Sequence, residues 1–231
     1  MNIVITGTHK GIGYHTAWHY LKEGHTVIGC SRHESQIAHD RYRHFVVDVC
    51  NENQVNDFAK HVRKEYKCVD ALINNAGAAA MNHFMMTPIE TARNLIEINY
   101  LGGLTCIRAF VSLLKKSGHP RVVNFSTVAV PFNLEGEMAY SSSKAAVESM
   151  TKILAKELAM FHITVNAVGP TPIKTDLTAK VPEEKLNKLL DNQAIHRFGE
   201  FRDIVNVIDF FLDSNSDFIT GQIIYLGGVN R

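Results

Sequence analysis

Residues 2–13 read Asn2-Ile3-Val4-Ile5-Thr6-Gly7-Thr8-His9-Lys10-Gly11-Ile12-Gly13. Strand-forming residues run into a turn holding three glycines, and the turn opens a helical stretch, Gly11 to Glu23, that Gly24 closes. Glycines there permit a tight turn, let backbone approach a pyrophosphate and let the helix pack closely on its strand. The helix N-terminus favours negative charge. At a strand-to-helix junction the triplet predicts a dinucleotide site, with Gly7, Thr8, His9, Lys10, Gly11, Ile12 and Gly13 around the phosphates.

Working outward, six more short β-branched runs follow: Thr26–Cys30, His44–Val47, Ala71–Asn74, Arg121–Phe125, Thr164–Ala167 and Gln222–Leu226. Most are nearly all apolar, as strands covered on both faces must be. Helical stretches lie between them at Asn51–Tyr66 and at Met138–Leu158, where Val147, Met150 or Thr151, Leu154 and Leu158 share one face. Such alternation predicts α/β architecture: a single doubly wound Rossmann domain over residues 1–231, with a seven-stranded parallel sheet and helices on both faces. The segment Pro172–Ile195 reads as a polar, helical excursion over the site, with Lys180, Glu183, Glu184, Lys185 and Lys188 on a solvated face.

Composition bounds the partners. Hydrophobic residues make up 45% and charged residues 20% of 231 positions, a globular balance. Lys plus Arg number 24 against 23 Asp plus Glu, so no net field points to nucleic acid or an anionic membrane. Apolar runs fall far short of the ~20 residues that cross a bilayer, and Met1 enters a strand with no signal-peptide pattern, so a cytoplasmic protein is expected. Cys30, Cys50, Cys68 and Cys106 form no C-x-x-C pair, and the twelve histidines show no ligand spacing, so no metal site is expected.

Two places choose the cofactor and the chemistry. The second strand ends Gly29-Cys30-Ser31-Arg32, lacking the carboxylate that binds an NAD ribose and repels a 2′-phosphate. Arg32 offers a planar charged fork, Ser31 a hydroxyl, and Lys10 a second cation, which favours NADP(H) over NAD(H). At the start of the long helix, Tyr140-Ser141-Ser142-Ser143-Lys144 puts a phenol and an ammonium one turn apart. A cation stabilises phenolate, so a tyrosine tuned in this way can pass a proton to a carbonyl oxygen.

Together these residues resemble the short-chain dehydrogenase/reductase family over nearly the whole chain, and its 3-oxoacyl carrier-protein reductases in general pattern. The matching motifs are the T-G-x-x-x-G-x-G turn, Asn74-Asn75-Ala76-Gly77, Asn99, Tyr140, Lys144, Asn166-Ala167-Val168-Gly169-Pro170, Thr220-Gly221-Gln222 and Gly227-Gly228. The resemblance implies that Tyr140 is the general acid, that Lys144 lowers its pKa and binds the nicotinamide ribose, and that Asn99 holds a water in the proton relay. It further implies adenine contacts from Asp48 and Val49, ribose contacts from Asn75, Ala76 and Gly77, and nicotinamide or phosphate contacts from Pro170, Ile173 and Thr175. A homodimer or homotetramer is implied too.

The chain also departs from that pattern. Thirteen positions before Tyr140, where the family carries serine, stands Thr127, with Ser126 beside it. Neighbouring side chains on a strand face opposite ways, so only one hydroxyl can face substrate, and Thr127 is expected to be that one. Thr171 replaces the usual glycine after Pro170, which predicts reduced backbone freedom. Met160-Phe161-His162 stands where many carrier-protein reductases place a basic residue. The expected activity is NADPH-dependent reduction of a ketone or aldehyde by hydride transfer, on a 3-oxoacyl thioester or a small or sugar carbonyl. The competing expectation is a non-catalytic NADP-binding sensor.

Overall fold

The computed structural model describes residues 1–175, 178, 181 and 183–229. In chain order come β1 (Asn2–Thr6), α1 (Gly11–Lys22), β2 (Thr26–Ser31), β3 (Tyr42–Val46), α2 (Glu52–Glu65) and β4 (Ala71–Asn74). A short 3-10 turn at Phe84–Met86 leads into α3 (Ile89–Ile96), a π-helical segment (Glu97–Leu101) and α4 (Gly102–Leu114). Then follow β5 (Arg121–Phe125), α5 (Ala129–Phe132), α6 (Met138–Glu157), β6 (Thr164–Gly169), α7 (Glu183–Asp191), α8 (Phe201–Leu212) and β7 (Ile223–Tyr225).

The seven strands form one sheet in the order β3-β2-β1-β4-β5-β6-β7, every neighbouring pair parallel. Between β1 and β4 the strand order reverses, and in such a sheet the crevice outside the strand ends at that point receives the ligand. Alternation along β1 shows the two layers: Val4 joins the α2, α4 and α6 side with Phe58, Phe110 and Val147, while Ile3 and Ile5 join the α1 and α8 side with Leu21 and Ile208. Burial on both faces explains why these strands are almost wholly apolar.

Element bounds differ in instructive ways. β3 begins at Tyr42, where a His44 start was expected, because Tyr42 pairs with Val27 of β2. β6 runs on to Gly169 because its last residues pair with β7, and β7 is trimmed to three residues. Between β4 and β5 the helix expected to hold Asn99 is three consecutive helical segments, with Asn99 in the π-helical middle one. Pro172–Ile195 does contain a helix, α7, whose Lys185 is placed; Lys180 lies outside the described residues. Among the described residues no helix is long and apolar enough to cross a membrane.

Candidate active site

The carboxyl ends of β1, β2, β4, β5 and β6 converge on the switch point. After β1, Gly7 and Gly11 adopt left-handed φ values of 76° and 62°. A side chain on Gly7 would strike Asn75 and Ala76, and one on Gly13 would strike Gly7, so the turn is closed on both sides. Gly11 faces open space, and α1 starts without a side-chain cap or an acidic residue in its first turn. Amides left unpaired beside open space fit a pyrophosphate. Asn75 straps this turn from β4, its Nδ2 donating to Thr6 O at 2.8 Å and Gly7 O at 3.2 Å, and Ala76 N donates to Thr6 Oγ1 at 2.9 Å. Ile12 packs partly buried into the α1 layer, and Thr8 turns inward to accept the Tyr42 hydroxyl at 2.9 Å.

At the end of β2, Arg32 is exposed. Ser31 corrects expectation: its buried hydroxyl donates to His33 O at 2.6 Å, so it is already committed within the protein. Asp48 likewise shapes the turn after β3, accepting from Cys50 N at 3.0 Å, with Val49 buried beside it.

Chemistry concentrates where β5 meets α6. Tyr140 and Lys144 sit one turn apart on α6, and the Thr127 hydroxyl pulls the phenol's pKa down. Ser126 faces the other way, donating to Glu148 Oε1 at 2.5 Å, a carboxylate that also takes the Tyr225 hydroxyl at 2.5 Å. The strand alternation thus separates the two hydroxyls. Lys144 Nζ donates to Phe125 O at 2.9 Å.

Electrostatics differ from the simple expectation of an acidified phenol. Burial pushes the Tyr140 phenol up to about 12, the Glu137 carboxylate pushes the same way, and the Thr127 hydrogen bond pulls down. Burial also lowers the Lys144 ammonium to about 8. Burial is the largest cause of both shifts, and the Lys144 ammonium donates to a main-chain carbonyl.

Asn99 lies in the π-helical segment, and its side chain clamps Ala78: Oδ1 accepts Ala78 N at 2.8 Å while Nδ2 donates to Ala78 O at 2.9 Å and Ser143 Oγ at 2.9 Å. Gly77 is small for a reason, since a Cβ there would come within 3.0 Å of Asn99 Oδ1 and 3.5 Å of Lys144 Nζ. Pro170 O accepts Val128 N at 3.2 Å, tying the end of β6 to the Thr127 loop, and Ile173 is buried while Thr175 is half-buried with its N–H on Thr178 Oγ1. Thr171 is absent from the positive-φ residues, so it replaces glycine without backbone strain, and its methyl packs where Gly199 leaves room.

Residue reading missed Glu137, Ser143, Glu148 and His44. Glu148 was available to it: positions 140, 144 and 148 share one helix face, which places a carboxylate on the buried side of α6.

A family profile described as enoyl-(acyl carrier protein) reductase matches residues 7–230. A 3-oxoacyl-(acyl-carrier-protein) reductase of Thermotoga maritima is 32% identical, covering 97% of this chain and 95% of that protein. The ligand-free aldohexose dehydrogenase of Thermoplasma acidophilum superposes with a TM-score of 0.89 at 28% identity, covering 99% of this chain and 93% of the other. ElxO with NADP bound gives a TM-score of 0.89 at 27% identity over 98% and 97% of the two chains.

Proposed function

The chain belongs to the short-chain dehydrogenase/reductase family, and from that premise we propose that residues 1–231 act as one NADPH-dependent unit reducing a ketone or aldehyde to an alcohol. The carrying observation is Tyr140 and Lys144 one turn apart on α6, with Lys144 Nζ held on Phe125 O at the end of β5, two residues before Thr127. The glycine turn, Arg32 and the Gly77 opening fit a dinucleotide, and the bound nicotinamide would supply hydride. In this reading Thr127 hydrogen-bonds the carbonyl oxygen, Tyr140 hands it a proton, and Lys144 stabilises the phenolate left behind. A phenol near 12 suits that direction: it stays protonated at neutral pH, and a forming alkoxide is far more basic than the phenolate it would leave. Asn99 fixes the Ala78 main chain beside the ribose side of the crevice. Exposed Arg32, with no carboxylate at the end of β2, supports NADP(H) over NAD(H).

The substrate read first is a 3-oxoacyl thioester, supported by likeness to the Thermotoga maritima reductase. A hydroxylated carbonyl such as a sugar is favoured by one feature of the site, the partly buried Glu137 one turn before Tyr140, whose carboxyl burial raises and the Lys185 ammonium lowers. Both offer hydrogen bonds that an acyl chain would not use. An NADPH-oxidation screen across acyl thioesters, ketosugars and simple ketones tests the reading. Turnover on one class, abolished in Tyr140→Phe, supports it; nucleotide binding without turnover on any carbonyl would support a non-catalytic sensor.

A further inference from the structure

Three segments meet beside the start of α6: the loop after β4, the residues that open α6 itself, and α7. Asn82 N donates to Gly136 O at 2.9 Å, and Gly136 holds a left-handed φ of 85°. A Cβ on Gly136 would lie 3.4 Å from Met81 Cγ and 3.5 Å from Lys185 Nζ, so the α7 ammonium reaches across to the entry of α6. Glu137 stands at the N-cap of α6 and is half-buried, yet its side chain accepts no capping hydrogen bond. Among the described residues its carboxylate closes no ion pair and takes no hydrogen bond; burial and, across space, the Lys185 charge act on it. Its own charge is felt by the Tyr140 phenol one turn on, which places it beside the reacting groups. A carboxylate that has lost part of its water and gained no donor costs free energy. A ligand hydroxyl next to Tyr140 would supply that donor.

We propose that Glu137 and Lys185 select a neutral polyhydroxylated ketone or aldehyde as substrate, Glu137 accepting from a hydroxyl beside the reacting carbonyl and Lys185 donating to a hydroxyl oxygen further along. This rests on the reductase reading above and chooses between its two substrate classes. Neither side chain exchanges an atom in the reaction; they decide which carbonyl Tyr140 receives. The two charges act on each other without closing an ion pair, and a run of hydroxyls, each both donor and acceptor, can bridge such a gap. A thioester with an unsubstituted acyl chain would leave the carboxylate drier and still without a donor. A site built to hydrogen-bond a hydroxyl turns that cost into rejection. Charge on the substrate is disfavoured in both senses, since an amine meets Lys185 and a carboxylate meets Glu137.

Initial rates of the full chain with NADPH on erythrulose and on butanone, which share a carbon skeleton and differ in their hydroxyls, test this. The ratio of the two kcat/KM values is expected to fall about 10- to 100-fold in Glu137→Leu, the worth of a hydrogen bond to a charged group. In Lys185→Met, where the side chain lost is exposed, it should fall about threefold. Taking a ratio cancels the effect of Glu137 on the Tyr140 phenol, which both substrates meet. Glu137→Gln keeps an acceptor oxygen and is expected to recover part of the ratio. Thermal melts separate selection from folding: Glu137→Leu removes a half-buried charge that has no donor, so it should melt no lower than the wild type. A ratio unchanged in both Glu137→Leu and Lys185→Met, a lowered melting temperature in Glu137→Leu, or a wild-type preference for an acetoacetyl thioester or aminoacetone over erythrulose overturns the substrate proposal while leaving the reductase reading standing. No NADPH oxidation with any of these carbonyls overturns the two together.

Discussion

At the scale of single residues, the two hydroxyls at the end of β5 separate chemistry from stability. Thr127→Ala is expected to lower turnover by about 10²-fold, the loss typical of one oxyanion donor, with a melting temperature near wild type. Ser126→Ala should do the reverse, retaining turnover but costing about 1–3 kcal/mol because buried Glu148 loses a donor. Thermal melts and steady-state rates on both variants decide it. Lys144 makes a sharper case. Its ammonium is held near 8 against an ordinary 10.5, so between those values the unfolded chain binds more protons and stability rises with pH. Below pH 8 the cost of burying the charge is present in full. Lys144→Met is therefore expected to abolish reduction yet raise stability at pH 7 by about 1–3 kcal/mol, less the hydrogen bond lost from Phe125 O, with the gain shrinking toward pH 10.5. In the wild type, reduction should decline as pH rises through about 8, when the cation proposed to stabilise the new phenolate is lost. A rate profile flat to pH 10 would remove Lys144 from the proposed chemistry.

At the scale of elements, legibility in sequence followed how locally each feature is determined. The glycine turn, the doubly covered strands and the Tyr140–Lys144 turn of α6 were readable, because glycine conformation, apolar runs and helical spacing are local signals. The π-helical segment was not, since it depends on Asn99 clamping Ala78 twenty-one residues away, a pairing that periodicity does not encode. The inward turn of Ser31 was hidden for the same reason: His33 and His44 decide it. Nor does spacing report desolvation, which is why the direction of the Tyr140 shift was misjudged. The same tertiary logic governs α1 against α8. The Tyr20 hydroxyl donates to Asp209 Oδ1 at 2.9 Å and His19 Nε2 lies 3.2 Å from Asp209. Asp209→Ala should cost about 1–3 kcal/mol by leaving the Tyr20 hydroxyl buried and unpaired, whereas adding Tyr20→Phe should recover most of it. Additive losses in the double variant would show that the hydrogen bond is not what couples the helices.

At the scale of the whole molecule, the sheet buries its own faces, yet among the described residues the surface keeps several large apolar side chains, and two sets of them are close in sequence. Phe84, Met85, Met86 and Ile89 are 70–81% exposed around the start of α3. Phe210 on α8 is 45% exposed, and Phe218, just beyond the turn that follows α8, is 98% exposed. Apolar groups of this size on a monomer surface mark interaction sites, and a closed two-fold assembly uses the same patch twice. If each set served one two-fold interface, the assembly would be a tetramer built as a pair of dimers. Light scattering on the purified chain is expected to report four copies. Phe210→Ser/Phe218→Ser should reduce that to two, because burying a phenylalanine contributes about 1.5–3 kcal/mol and each two-fold interface contains both residues twice. The active-site residues lie at the strand ends, away from Phe218 in sequence and in the sheet, so the smaller species should keep its nucleotide affinity. A wild-type chain that stays monomeric across the concentration range would assign these side chains to something other than self-association.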